Sequence, residues 1–205
     1  ICWSLVGSEM CIRDRLIIAF FFILMLGSFG LIVIDKAARS RIDNINFIGK
    51  VPSFSLTNFD GSIVTEKQLN NKISIVSFMF TQCEGACPIM SNNIATLQER
   101  FSSSNDVQFL SITTDPDFDT LDILNQYSSN YSKNDNWFFL RGDILDIIDL
   151  SEKGFFLDAK LLPAGHSLRF VLVDKELNIR KYYKGDEIPN IVELQSDIVT
   201  LLNQG

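Results

Sequence analysis

The chain has 205 residues, enough for one domain with its own core. A hydrophobic content of 46%, with 17 phenylalanines, excludes a disordered polymer. A formal charge of −7 and a pI near 4.7 exclude the basic footprint that nucleic-acid binding requires.

Residues 1–15 stand apart from the rest. The stretch LVGSEMCIRDR at 5–15 resembles a translated sequencing-library adapter and has no structural period, so it is set aside as a fusion scar would be. Cys2 and Cys11 go with it, which leaves Cys83 and Cys87. Residues 16–34 hold no charged side chain, and nineteen residues at 1.5 Å each just cross a hydrocarbon layer of about 30 Å. The run is longer than a signal-peptide core and is followed by Ile-Asp-Lys rather than a small-residue cleavage site, so a single uncleaved transmembrane signal-anchor is expected. Lys36, Arg39 and Arg41 after it do not by themselves fix its orientation. Residues 35–50 are polar without a period and read as a tether, and the folded domain is expected over 51–205.

Within that domain strand and helix patterns alternate. Strands at 53–56 and 62–64 flank Asp60-Gly61, a hairpin signal, and 65–69 reads as one helical turn. Residues 73–80 form a continuous apolar strand that should be buried on both faces. A helix is expected over 88–101, with Ile89, Met90, Ile94, Leu97 and Phe101 on its inner side. Strands follow at 107–112 and 137–140, and helices at 120–131 and 144–153, the latter ended by Gly154. Strands at 168–173 and 179–183 pair across a turn, and 188–202 is the last helix. This order predicts an α/β fold, a mixed central sheet with helices on both faces in a thioredoxin-like layout.

In that layout Cys83 and Cys87 fall on the loop between the first central strand and its helix, where open α/β sheets place their sites. Pro88 suits the first helical position, which puts Cys87 near the helix start, where partial positive charge favours a thiolate. A passive disulfide would close too small a loop to gain much entropy. A redox couple remains an alternative, although thiol–disulfide oxidoreductases usually separate their cysteines by two residues and here there are three. The setting lacks the upstream proline of a peroxidatic cysteine. His166, the only histidine of the chain, lies in the loop LPAGHS before a strand that this layout brings beside the cysteines. Two thiols and one imidazole suit Cu(I); zinc would want a fourth ligand, for which Glu84 or the Asp115–Asp119 segment would have to serve. Met79 and Met90 are expected in the core. Asp115, Asp117 and Asp119 read as caps of the helix after Thr120, or else as a docking surface for a basic partner.

Three segments in order, FMFTQCEGACP at 78–88, SITTDPDFDT at 111–120 and HSLRFVLVD at 166–174, resemble the signatures of the Sco/SenC family of copper-binding cytochrome c oxidase assembly factors. The resemblance covers about residues 48–203 and implies a membrane-tethered, thioredoxin-like metallochaperone rather than an enzyme. By it, Cys83, Cys87 and His166 would bind a copper ion. The acceptor would be the binuclear copper centre of cytochrome c oxidase subunit II or a similar client. The soluble domain would face the periplasm from the bacterial inner membrane. The alternative is a membrane-anchored thiol–disulfide reductase that keeps client cysteines reduced, with Cys83 and Cys87 as the redox-active pair. Two positions depart from the family pattern: Gly165 stands where many members carry Asp before the histidine, and Phe80-Thr-Gln-Cys-Glu replaces a Tyr-Thr-His-Cys-Pro type of sequence.

Overall fold

A computed structural model of the chain describes residues 17–30 and 47–203, and these fall in two separate units, 1–44 and 45–205. In the first, residues 17–30 form helix α1, about 21 Å long at 1.5 Å per residue. Among the described residues no helix is long and apolar enough to cross a membrane. Of the segment expected to span, 16–34, residues 16 and 31–34 lie outside the described residues, as do all of the adapter-like residues 1–15 and most of the expected tether.

The second unit is built on one eight-stranded sheet, in the order β1-β8-β7-β4-β5-β6-β2-β3. Its elements are β1 (Gly49–Lys50), β2 (Ser55–Asn58), β3 (Ile63–Thr65), a 3-10 turn (Glu66–Leu69), β4 (Ile73–Met79), α2 (Ala86–Arg100), β5 (Val107–Thr113) and α3 (Leu121–Tyr131), then β6 (Trp137–Arg141), α4 (Ile144–Asp149), a π turn (Leu150–Gly154), β7 (Arg169–Val173), β8 (Asn178–Lys184) and α5 (Ile188–Leu202). The expected hairpin is present. Gly61 takes φ +85°, which costs glycine nothing, and Asp60 Oδ1 accepts from the Ser62 backbone N–H at 2.9 Å. Thr65 and Gln68 form a capping box that starts the 3-10 turn.

β4 and β5 are buried at every position, and alternate residues feed two cores. Ile73, Ile75 and Phe109 face the side covered by Ile94 and Leu97 of α2, Leu124 of α3 and Leu194 and Ile198 of α5. Val76, Phe78, Leu110 and Ile112 face the side covered by Ile147, Leu150, Phe155 and the 51–69 segment. Helices on both faces of a mixed sheet are what the alternating pattern implied.

Several boundaries differ from expectation. The sheet begins inside the stretch read as tether, because Gly49 and Lys50 pair with Ile179 and Asn178. Helix α2 starts at Ala86 rather than at Pro88, and Ile89, about 100° around the helix from the buried Met90, is 50% exposed instead of lying in the core. The helix expected over 144–153 is an α-helix only to Asp149, and a π turn completes it.

The register of three strands sets the site. β4 and β5 are parallel and end together, Met79 beside Thr113. β7 runs antiparallel to β4, Val76 opposite Val171, so the start of β7 lies at the same end of the sheet. The loops after β4, after β5 and before β7 therefore converge at the carboxyl ends of the parallel strands.

Candidate metal centre

The loop after β4 carries both cysteines. The Cys83 N–H closes a turn onto the Phe80 carbonyl at 3.3 Å, Gly85 is the N-cap of α2, and Cys87 is the second residue of the helix. Pro88 thus occupies the third helical position rather than the first; it still lies in the first turn, where its missing N–H leaves no ladder bond unmade. His166 sits just before β7. The three donor atoms, two sulfurs and one imidazole nitrogen, lie within 4.8 Å of one another, and they form the one cluster of three or more such residues found among the described residues.

The geometry within the cluster is specific. Cys87 Sγ lies 3.3 Å from His166 Nε2. The other ring nitrogen, Nδ1, is 3.2 Å from the Ser167 carbonyl and donates to it, so Nε2 keeps its lone pair toward the sulfurs. The Phe80 ring meets the imidazole edge-on, with centroids 5.6 Å apart. Cys87 and His166 are buried, at 1% and 6% exposure, whereas Cys83 is half-buried. Of the two cysteines on this loop, only Cys83 reaches solvent.

The thiols are electrostatically unlike. Burial pushes the Cys87 thiol up to about 12, helped by the neighbouring Cys83 and Asp119 charges. At Cys83 burial also opposes the thiolate, but hydrogen bonds from the Cys87 backbone and thiol and from the Gly85 and Ala86 backbones outweigh it and hold the thiol below its ordinary value. The helix start therefore favours Cys83, one turn outside the helix, and not Cys87 as the sequence suggested. Burial holds His166 below the ordinary imidazole value, so it stays neutral as a ligand must.

The donor set fits a soft ion. Two thiolates and an imidazole suit Cu(I), and the three donor atoms lie close enough to face one ion. A fourth protein ligand for zinc is not at hand: Glu84 is exposed, and Asp119 is engaged with Thr81 and Thr113. Met79 and Met90 are in the core, as expected, at 3% and 2% exposure.

Sequence reasoning missed what Asp119 does. Thr120 caps α3, its hydroxyl accepting from the Ile123 N–H at 3.3 Å, while Asp119 is fully buried and turned toward the cysteine loop. Of the three aspartates only Asp117 is openly exposed. Thr81, two residues before Cys83, was the available signal, but its partner lies 38 residues away.

A family model described as SCO1/SenC matches residues 46–203. The chain belongs to the SCO1/SenC family. The SCO1 protein homolog of Bacillus subtilis is 31% identical over 164 residues, spanning 76% of this chain and 83% of the relative. The structure of BsSco, a member of the Sco family of cytochrome c oxidase assembly proteins studied for a disulfide switch, superposes with a TM-score of 0.69 at 30% identity, covering 80% of this chain and 98% of that one. Arabidopsis thaliana ScoI, solved with copper bound, gives a TM-score of 0.65 at 25% identity over 77% of this chain and all of that one. These likenesses agree with the thioredoxin-like fold expected from the element order.

Proposed function

We propose that this SCO1/SenC chain is a copper metallochaperone. Cys83, Cys87 and His166 hold one copper ion as cargo and release it to an acceptor, the binuclear copper centre of cytochrome c oxidase subunit II or a similar site. The observation that carries this reading is the convergence of the three donors from two distant segments within 4.8 Å, with the imidazole already turned to present Nε2. A relative with copper bound and another placed in cytochrome c oxidase assembly support the cargo and the client.

The asymmetry of the site suggests a direction of transfer. Cys83 is the accessible donor, so an incoming thiolate exchanges with it first, while Cys87 and His166 retain the ion until the second exchange. Oxidation of Cys83 and Cys87 to a disulfide gives up two electrons and two protons to an oxidant and removes two donors at once. Binding is thereby limited to the reduced protein. The apolar segment 16–34 supports a membrane anchor that holds the domain on the periplasmic side of a bacterial inner membrane, where the oxidase copper centre is assembled.

One observation favours a second reading, a thiol–disulfide reductase: an accessible Cys83 beside a buried Cys87 is the arrangement of an attacking and a resolving thiol. Titration separates the two. The full chain, reduced, anaerobic and held in mild detergent, is titrated with Cu(I) against a competing chelator. His166→Ala should weaken binding about tenfold or more. Unchanged affinity in that variant, together with intact reduction of a client disulfide, would leave the reductase reading standing and end the chaperone reading.

A further inference from the structure

Asp119 is withdrawn from solvent entirely, unlike Asp117 in the same loop. Its Oδ2 accepts from the Thr81 backbone N–H at 3.2 Å and from the Thr113 hydroxyl, and its Oδ1 accepts from the Thr81 hydroxyl. Among the described residues no salt bridge includes it. A carboxylate buried without a cation is costly, and here three directional donors offset that cost. An apolar contact would join two loops at lower cost, but it would not fix their relative position as a forked acceptor does.

The loop so gripped is the one that bears Cys83. Between Phe80 and the start of α2 its backbone–backbone bonding, outside helix and strand, is the single Cys83 to Phe80 turn at 3.3 Å. A Cβ built on Gly85 would meet nothing within 4 Å, so the loop is open on that side. Beside the bonds that the Cys83 sulfur receives at the start of α2, Thr81 is the loop's tie ahead of Cys83, and Thr81 is held by Asp119. On the other side Asp119 is tied to the sheet: Thr113 is the last residue of β5, beside Met79 at the end of β4.

Resting on the copper reading, we infer that Asp119 is a positioning residue for metal capture. By holding Thr81 it keeps Cys83 within reach of the Cys87 sulfur and His166 Nε2, so that an arriving ion finds three donors assembled rather than two. No step passes through Asp119 itself; it acts through Thr81 on the place of one sulfur.

The test uses the full chain, reduced and in detergent, with Asp119→Asn, Thr81→Val and Thr81→Ser beside His166→Ala. Thr81→Val keeps the shape and the backbone N–H but removes the hydroxyl donor; Thr81→Ser restores the donor. Cu(I) affinity should fall about tenfold in Thr81→Val and in Asp119→Asn, and return to near the native value in Thr81→Ser. The ultraviolet thiolate-to-Cu(I) charge-transfer absorption should move in Thr81→Val and return in Thr81→Ser, a change that mere loss of stability does not produce. If Asp119→Asn fails to fold, the two Thr81 variants decide. Native affinity and spectrum in a folded Thr81→Val, alongside weakened binding in His166→Ala, would overturn this inference alone. No copper binding by the native chain would overturn the copper reading and this inference with it.

Discussion

Cys87 Sγ and His166 Nε2 lie 3.3 Å apart although 79 residues separate them in the chain. The contact follows from register: Cys87 is fixed by the start of α2 and His166 by the start of β7, and both elements flank β4. The Ser167 carbonyl at 3.2 Å from Nδ1 selects one tautomer. In the metal-free, reduced protein at neutral pH, nitrogen-15 NMR should therefore find the proton of His166 on Nδ1 and a bare Nε2. A proton on Nε2 would mean that the imidazole points its donor, not its lone pair, at the sulfurs.

The two thiols should react at different rates. Cys83 is half-exposed with its thiol held below the ordinary value, while Cys87 is 1% exposed with its thiol pushed up to about 12. Brief treatment of the reduced, metal-free chain with iodoacetamide should label Cys83 faster than Cys87 by roughly an order of magnitude or more. Fragmentation mass spectrometry of the peptide bearing both cysteines reads the ratio. Equal labelling would show that the Cys87 environment opens on the time scale of the reaction.

Much of this was legible in the sequence, for physical reasons that can be named. β4 was visible because seven successive buried positions leave no room for polar exposed residues except small ones such as Ser74 and Ser77. The three ligands stood out because the folded domain holds no other soft donors outside its buried methionines. β1 was not legible: two residues become a strand only because β8, far along the chain, offers them partners. Ile89 was placed on the wrong face because it is apolar and adjoins the stripe, yet at about 100° per residue it stands well away from Met90, Ile94, Leu97 and Phe101. Asp119 looked like a cap because it precedes the true cap, Thr120, and nothing local reveals that its carboxylate reaches back to Thr81.

Gln98 offers a way to separate fold stability from the site. It lies on α2 at 1% exposure, and its Nε2 reaches Asn136 Oδ1 at 2.8 Å and the Asn134 carbonyl at 3.1 Å, while its Oε1 accepts from the Lys133 N–H at 3.0 Å. One side chain thus satisfies the turn that leads into β6. Gln98→Ala should cost about 2 kcal/mol, seen as a lower urea midpoint at unchanged slope. Cys87 is eleven residues away along the same helix, about 16 Å, so Cu(I) affinity of the folded variant should stay at the native value. A matching loss of affinity would show that the whole of α2, not its first turn, sets the metal loop.

Glycine stands at 165, directly before His166. The structure gives a reason. A Cβ at this position would meet the Leu161 Cβ at 2.4 Å and the Leu161 carbonyl oxygen at 2.8 Å, and the Gly165 N–H bonds that same carbonyl at 2.6 Å. The obstacle is backbone, which cannot swing aside as the end of a long side chain can. Any larger residue must therefore open the 161–165 turn, and His166 is the next residue along. Gly165→Ala should lower the unfolding free energy by about 1–3 kcal/mol and should also weaken Cu(I) binding, because opening the turn shifts the backbone that places the imidazole. Two separate readouts tell the effects apart: thermal unfolding of the metal-free chain reports the strain, and chelator competition reports the ligand. Native affinity in a destabilised Gly165→Ala would show that β7 and the Ser167 carbonyl hold His166 without help from the turn, and that glycine is needed here for the turn alone.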